Sequence, residues 1–229
     1  MNRGISASKG VICLLILAVD TSGNTASCAL MQDTLLLGQR MIYTARAHSQ
    51  ILLPTVKGML ADTGHTVQEV DVFAAANGPG SYTGLRIGIA AMQALAYAGD
   101  KHCAGISSLE GLAWNVSPFC GVICASLYAR ADLCYCAFFR SDGQTVTRLT
   151  EDAVLKTDEI AAQCSAYGTA VMCAGNGYEK LHALCDCLIP APPHLCNQSA
   201  AGIAMAALHR DLLPPEQLSV SYLQAVKIG

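Results

Sequence analysis

Charge is scarce in this sequence: Asp, Glu, Lys and Arg make up 14% of its 229 residues, while hydrophobic residues reach 52%. An average soluble domain carries roughly a quarter charged residues. A surface so poorly charged reflects either an alanine- and cysteine-rich composition or a face covered by another subunit. The formal charge is −3, and there is no run of Lys or Arg to grip a phosphate backbone. A role in nucleic-acid chemistry, if there is one, is therefore indirect. No Cys-x-x-Cys pair occurs, which argues against a zinc site. No His-Glu-x-x-His helix and no Gly-x-Ser-x-Gly elbow occur either, so neither a zinc peptidase nor a serine hydrolase is indicated. The longest N-terminal apolar run, Val11 to Val19, is nine residues, far short of the roughly 20 that span a bilayer as a helix. It lacks a small-residue cleavage site and is followed at once by Asp20, so it reads as a buried strand rather than a leader. No membrane association is expected.

Cysteine, by contrast, is abundant, with twelve residues. Their placement inside apolar stretches, as at Cys13, Cys28, Cys124 and Cys173, marks buried thiols of a reducing, cytoplasmic compartment rather than a disulfide framework. Cys134/Cys136 and Cys185/Cys187 are each spaced by one residue, which on a strand puts both side chains on one face.

Along the chain, residues 1–10 read as a disordered extension. The apolar segment Leu14 to Val19, the turn Asp20-Thr21-Ser22-Gly23-Asn24 and the segment Thr25 to Met31 predict a β-hairpin with an acid at its tip. Leu35 to Leu37 and Met41 to Thr44 extend the sheet. Ser49 to Thr63 carries apolar residues at helical spacing up to Gly64, with Pro54 tolerable only near the first turn. A strand over Val70 to Ala76 runs into the glycine loop Asn77 to Gly84, and a helix follows to Gly99. Beyond Ser107 the pattern restarts: a helix Leu109 to Asn115, strands Gly121 to Leu127 and Leu133 to Arg140 about a turn, a helix Thr157 to Cys164, a strand Ala170 to Ala174, a short helix, and a last helix Ala200 to His209. This is an α/β layered chain. The expected division is an N-terminal α/β lobe over 11–105 and a C-terminal α/β lobe over 106–229, the last helix able to return to the first lobe.

Glycines 78, 80 and 84 let the backbone approach a partner closely, and the helix start behind them offers free amides. That makes a candidate phosphate site, although no Lys-Ser/Thr pair of a Walker loop follows and the spacing is not that of a dinucleotide fingerprint. Asp20, Gly78 and Gly80 are accordingly the candidate cofactor-binding residues.

The wording of four segments carries a resemblance. ILAVDTSGNTASCAL (Ile16 to Leu30), HSQILLPTV (His48 to Val56), NGPGSYTGLRIGIA (Asn77 to Ala90) and GISSLEGLA (Gly105 to Ala113) resemble, in order and distance, the signature blocks of the tRNA threonylcarbamoyladenosine biosynthesis protein TsaB family, also known as YeaZ-like and glycoprotease-related. AGNGYEK (Ala174 to Lys180) and SYLQ (Ser221 to Gln224) add thinner support. The resemblance implies a two-lobed fold of the acetate-kinase, Hsp70 and actin superfamily. It also implies a non-catalytic, dimerising scaffold in a bacterial cytoplasmic complex with TsaD and TsaE. TsaD transfers the threonylcarbamoyl group to an adenosine beside the tRNA anticodon, and TsaE is an ATPase, so ATP and Mg enter at the level of the complex with no intrinsic cofactor here. Two alternatives stay open: a nucleotide-dependent enzyme of the same superfold and, behind it, a glycoprotease-like peptidase.

Three departures bear on that choice. TsaD binds its metal through a His-x-x-x-His pair, whereas His48 here has Leu52 at the mating position, so this helix holds no metal. The second hairpin reads Leu127-Tyr128-Ala129-Arg130 where relatives have Asp-Ala-Arg, which removes a second carboxylate. Ser221 and Gln224 replace the Pro and Arg typical of the tail. The expected partner surface is the pair of helices flanking the glycine loop: Leu52, Val56 and Met59 on the first, and Gly84, Leu85, Gly88, Ile89, Ala91 and Met92 on the second. A homodimer through the same face is a further outcome. The opposing reading is that the strip of small residues Gly84, Gly88 and Ala91 packs on the chain's own sheet.

Overall fold

Two sheets of the same design make up the architecture, seen in a computed structural model that describes residues 13–44 and 48–223. The extension expected over 1–10 and the tail residue Gln224 lie outside the described residues.

The first apolar run folds as β1 (Leu15–Asp20), every residue of it buried, and turns at Thr21–Asn24 into β2 (Thr25–Gln32), paired antiparallel with Leu17 opposite Leu30. A full run of buried apolar side chains is what a strand covered on both faces requires. The two segments expected after it form one edge strand, β3 (Leu35–Tyr43), continuous through a register shift at Leu30/Met31 of its partner. Next comes α1 (His48–Thr63), whose buried residues Leu52, Thr55, Val56, Met59 and Leu60 fall at i, i+3, i+4, i+7 and i+8, one helix face. Pro54 lies in the second turn of this helix, not the first. It removes the intrahelical donor for the Gln50 carbonyl, which costs little because Gln50 is exposed and water can serve.

β4 (Val72–Gly78), α2 (Tyr82–Gly99) and β5 (His102–Ser107) complete the first lobe, giving the strand order β3-β2-β1-β4-β5 with β1, β4 and β5 parallel. Ser81 caps α2 by accepting from the Gly84 N–H. The second lobe repeats the plan. α3 (Ser108–Asn115) leads into β6 (Gly121–Arg130) and β7 (Leu133–Ser141), an antiparallel hairpin flanked by β8 (Val146–Arg148) and β9 (Ala153–Lys156). α4 (Thr157–Ala166), β10 (Val171–Ala174), α5 (Tyr178–Leu181) and β11 (Leu188–Pro190) follow, and β10 and β11 run parallel to β6. Each sheet is thus an antiparallel hairpin continued on one side by two parallel strands, and the two hairpin tips, at residues 21–24 and 128–132, face the same cleft.

The helix α6 (Ala200–Ala207) lies against the first sheet, its Ile203 and Ala204 in one core with Ile16, Ala18 and Ile106. Between the sheets α6 crosses α3 at Gly111 and Gly202. A Cβ on Gly111 would stand 2.6 Å from Cδ1 of Ile203, and one on Gly202 would run into the Gly111 carbonyl. The crossing therefore needs glycine at 202, where backbone is in the way, while at 111 only the end of the Ile203 side chain would have to move. At the same end, within the second lobe, Arg148 bonds Glu110 at 3.0 Å and Asp152 at 2.5 Å, and Arg210 just after α6 pairs with the same Glu110.

Candidate functional site

The structure has two concavities of interest. The first is the interlobe cleft, about 560 Å³, lined by Ser22, Gly23 and Asn24 from the first hairpin, Thr44 after β3, His48, Gly80 and Ser81, and by Leu127, Tyr128, Ala129, Tyr135, Asn176 and Gln198. Among these lining residues there is no carboxylate, lysine or arginine. A Mg–phosphate site asks for one or two carboxylates with a phosphate cradle, and this wall offers hydroxyls, amides and one imidazole.

Asp20 is not on that wall. It is 1% exposed, and its Oδ1 accepts from the Ser22 N–H at 2.9 Å and the Ser22 hydroxyl at 2.6 Å, while Oδ2 is buried without a hydrogen-bond partner. Burial pushes the carboxyl up to about 6, against the pull of the two Ser22 bonds and the nearby His48. His48 lies near enough to matter electrostatically, but its Nε2 donates to the Gly23 carbonyl at 2.9 Å, and its Nδ1 is left buried without a partner.

The glycine loop is spent on the chain itself. Gly78 has φ +127°, and a Cβ there would sit 2.6 Å from the Ser221 carbonyl oxygen. A Cβ on Gly80 would collide with the Ser22 carbonyl, and one on Gly84 with the Thr21 carbonyl. Ser81 N–H donates to the Ser22 carbonyl at 2.7 Å, and the Thr21 hydroxyl donates to the Gly84 carbonyl at 2.7 Å. Of the candidate cofactor residues, Gly80 reaches the cleft while Asp20 and Gly78 are sealed behind it.

The second concavity is an apolar groove of about 780 Å³ between α1 and α2, lined by Leu53, Pro54, Val56, Lys57, Leu60, Ala61, His65, Thr66, Val67 and Leu95. The residues expected on the partner face lie mostly inward in the described chain. Leu52, Val56, Met59, Ile89 and Met92 belong to the core beneath α1 and α2, and Leu85 to the core on the sheet's other side. Gly84 and Gly88 face β1 and its turn, a Cβ on Gly88 standing 2.6 Å from Thr21 Oγ1 and 3.5 Å from Val19 Cγ2. Ala91 is half-buried against the same core. The small-residue strip thus packs on the chain's own sheet, and what the helix pair offers outward is Leu53, Pro54, Lys57 and Ala61, with Leu95 half-buried at the groove wall. Leu53, Lys57 and Ala61 recur every four residues along a second face of α1. The only hint of it in the sequence is the run Ile51-Leu52-Leu53, too apolar for a single buried stripe. The cleft residues Tyr135 and Gln198 had no sequence signal, and Asn176 only its place in the AGNGYEK segment; they meet only through the lobe arrangement.

Among the described residues no group of three or more His, Cys, Asp or Glu side chains is placed to hold a metal ion, and no helix is long and apolar enough to cross a membrane. A protein-family model described as TsaD: tRNA N6-adenosine threonylcarbamoyltransferase matches residues 42–226. The chain belongs to that family, in its TsaB/YeaZ branch. It is similar to the tRNA threonylcarbamoyladenosine biosynthesis protein TsaB of Bacillus subtilis, 32% identical over 139 residues covering 61% of each chain. To the protein of the same description in Escherichia coli it is 28% identical over 214 residues, covering 86% of this chain and 92% of the other. The solved structure of YeaZ from Pseudomonas aeruginosa superposes with a TM-score of 0.81 at 26% identity, covering 92% of this chain and all of that one. The fold is the two-lobed α/β architecture of the acetate-kinase, Hsp70 and actin superfamily. Two departures from TsaB wording now have places. Tyr128 stands on the cleft wall, its N–H bonded to Asn176 Oδ1 at 2.8 Å. Ser221 N–H donates to the Asn77 carbonyl at 2.8 Å, fastening the tail to the glycine loop.

Proposed function

We propose that this chain is a non-catalytic activating subunit of a tRNA threonylcarbamoyltransferase complex, and that it holds TsaD through the groove between α1 and α2. The observation that carries this is the contrast between an uncharged cleft and an open apolar groove: Leu53 is 50% exposed at its lip. Similarity to proteins described as acting in threonylcarbamoyladenosine biosynthesis supports the reaction class. Because the TsaD family model matches this chain across both helices, a TsaD partner carries a helix pair of the same design. Like faces then pack two against two, as in an isologous dimer, and a homodimer of this chain uses the same surface when TsaD is lacking. TsaE and tRNA join through TsaD, and ATP with Mg acts at the level of the complex.

The test is co-purification with TsaD from the same genome, followed by a threonylcarbamoyladenosine assay with and without this chain. Formation of the modified nucleoside only when both are present supports the proposal; equal yield without this chain contradicts it. The second reading, a nucleotide-dependent enzyme, is favoured by the orphaned Oδ2 of Asp20 and the cleft in front of it. It requires sustained ATP hydrolysis by the isolated chain that Asp20→Asn abolishes.

A further inference from the structure

The thiols of the second lobe divide into two kinds. Cys124 lies 3.7 Å from Cys136 and shares thiol hydrogen bonds with Cys136, Cys164 and Cys173, which with burial hold it well above the ordinary range. Such thiols stay protonated and pack as small hydrophobes. The turn between α5 and β11 is different. There the Cys185 and Cys187 sulfurs stand 2.7 Å apart, and the Ser165 hydroxyl on α4 is 3.3 Å from Cys185. Burial works against the Cys185 thiolate, but the Cys187 thiol, the Ser165 hydroxyl and the N–H groups of Cys187 and Leu188 outweigh it, and the thiol is lowered. Cys187 is pushed up to about 11, by burial first and then by Cys185 beside it. Cys185 is buried at the edge of this lobe's core and Cys187 is half-buried, under a turn whose Leu184 and Asp186 are exposed.

We propose that Cys185 and Cys187 are a redox-active dithiol that a peroxide closes to a disulfide, Cys185 attacking and Cys187 resolving. In the first step the Cys185 sulfur forms a bond to one peroxide oxygen as the O–O bond breaks; the other oxygen leaves and, with a proton, becomes water. In the second, the Cys187 sulfur attacks the resulting sulfenic sulfur, the S–S bond forms, and a second water leaves with the Cys187 proton. Two thiols are oxidised by one electron each and one peroxide is reduced to two waters. A small dithiol reductant reopens the bond by exchange.

The test treats the reduced full-length chain with one equivalent of hydrogen peroxide, alkylates the remaining thiols and maps the cysteines by peptide mass spectrometry. The expected result is a Cys185–Cys187 disulfide with two thiols lost, reversed by dithiothreitol. Cys185→Ser should slow thiol loss at least about tenfold, while Cys187→Ser should stop at a dimedone-trappable sulfenic acid on Cys185. Ser165→Ala, which removes one donor to the thiolate, should slow the reaction severalfold with the same product. First loss at the exposed Cys13 or Cys120, or an unchanged rate in Cys185→Ser, would overturn the proposal. So would two sulfurs that resist peroxide and instead retain a soft metal ion through purification. The wild-type map decides even if a serine variant folds poorly.

Discussion

The two concavities, about 560 and 780 Å³, are of opposite character. The cleft has a wall of neutral polar groups and one imidazole, and Asp20 is sealed under Ser22 with one oxygen unpaired. The groove across α1 and α2 is apolar, and no part of the described chain fills it. Catalysis needs charge aimed at a reacting group; association needs apolar surface withdrawn from water. The glycine loop shows how the first lobe came to differ. Its glycines admit the carbonyls of Thr21, Ser22 and Ser221, so the loop's close approach is satisfied within the chain.

The sharpest way to break this comparison is at that contact. Gly84→Val drives a branched side chain into the Thr21 carbonyl, and the expected cost exceeds about 4 kcal/mol. The variant should lose its thermal transition in circular dichroism or fail to appear in the soluble fraction. Gly88→Arg should behave the same way, since Thr21 Oγ1 occupies the space. A folded Gly88→Arg that merely fails to bind TsaD would return the small-residue strip to the interface.

Asp20 gives the next effect. Its folded value near 6 lies above the roughly 3.9 of an unfolded aspartate, so the folded state binds the proton more tightly. Its contribution costs nothing below both values, grows as pH rises from about 4 through 6, and is complete above that. The full penalty is about 3 kcal/mol. Asp20→Asn should therefore gain stability relative to wild type at neutral pH and lose that advantage near pH 4, as read from denaturant midpoints across the window. A difference independent of pH would mean that Asp20 is solvated and faces the cleft after all.

Leu53→Asp sharpens the other side. Because Leu53 is exposed, thermal stability should change by less than about 0.5 kcal/mol, while affinity for TsaD should fall by about 2 kcal/mol, roughly 30-fold. Isothermal titration beside a melting curve separates the two. The smallest effect expected is that of nucleotide. At a Mg-ATP concentration of about 1 mM the isolated chain should be stabilised by less than about 0.4 kcal/mol, the value for a ligand at its own dissociation constant. A larger thermal shift would place a working site in the cleft.

Much of the first lobe could be read from the sequence. The hairpin of β1 and β2, the strand before the glycine loop and the two long helices each announce themselves by apolar runs or helical spacing within one segment. β5 and β11 do not. His102–Ser107 and Leu188–Pro190 are short and mixed, and each becomes a strand by pairing parallel with β4 or β10 across an intervening helix. The groove was illegible for a related reason. Spacing told that Gly84, Gly88, Leu85 and Ile89 share helix faces, yet which face meets the sheet depends on where Thr21 lies. That is settled by the Thr21 hydroxyl reaching the Gly84 carbonyl, 63 residues away. Asp20 was legible as a hairpin-tip acid, while its burial was not, because Ser22 and the loop at Gly80 close over it only in three dimensions.

The central claim is that the groove, rather than the cleft, carries the activity. One measurement addresses both: the initial rate of threonylcarbamoyladenosine formation in a mixture of TsaD, TsaE, tRNA and this chain, with Leu53→Asp and Asp20→Asn compared at neutral pH. The account predicts that Asp20→Asn keeps the wild-type rate. Leu53→Asp should fall roughly 30-fold at limiting subunit and recover as its concentration is raised. A Leu53→Asp rate equal to wild type, with Asp20→Asn inactive at every concentration, would contradict it.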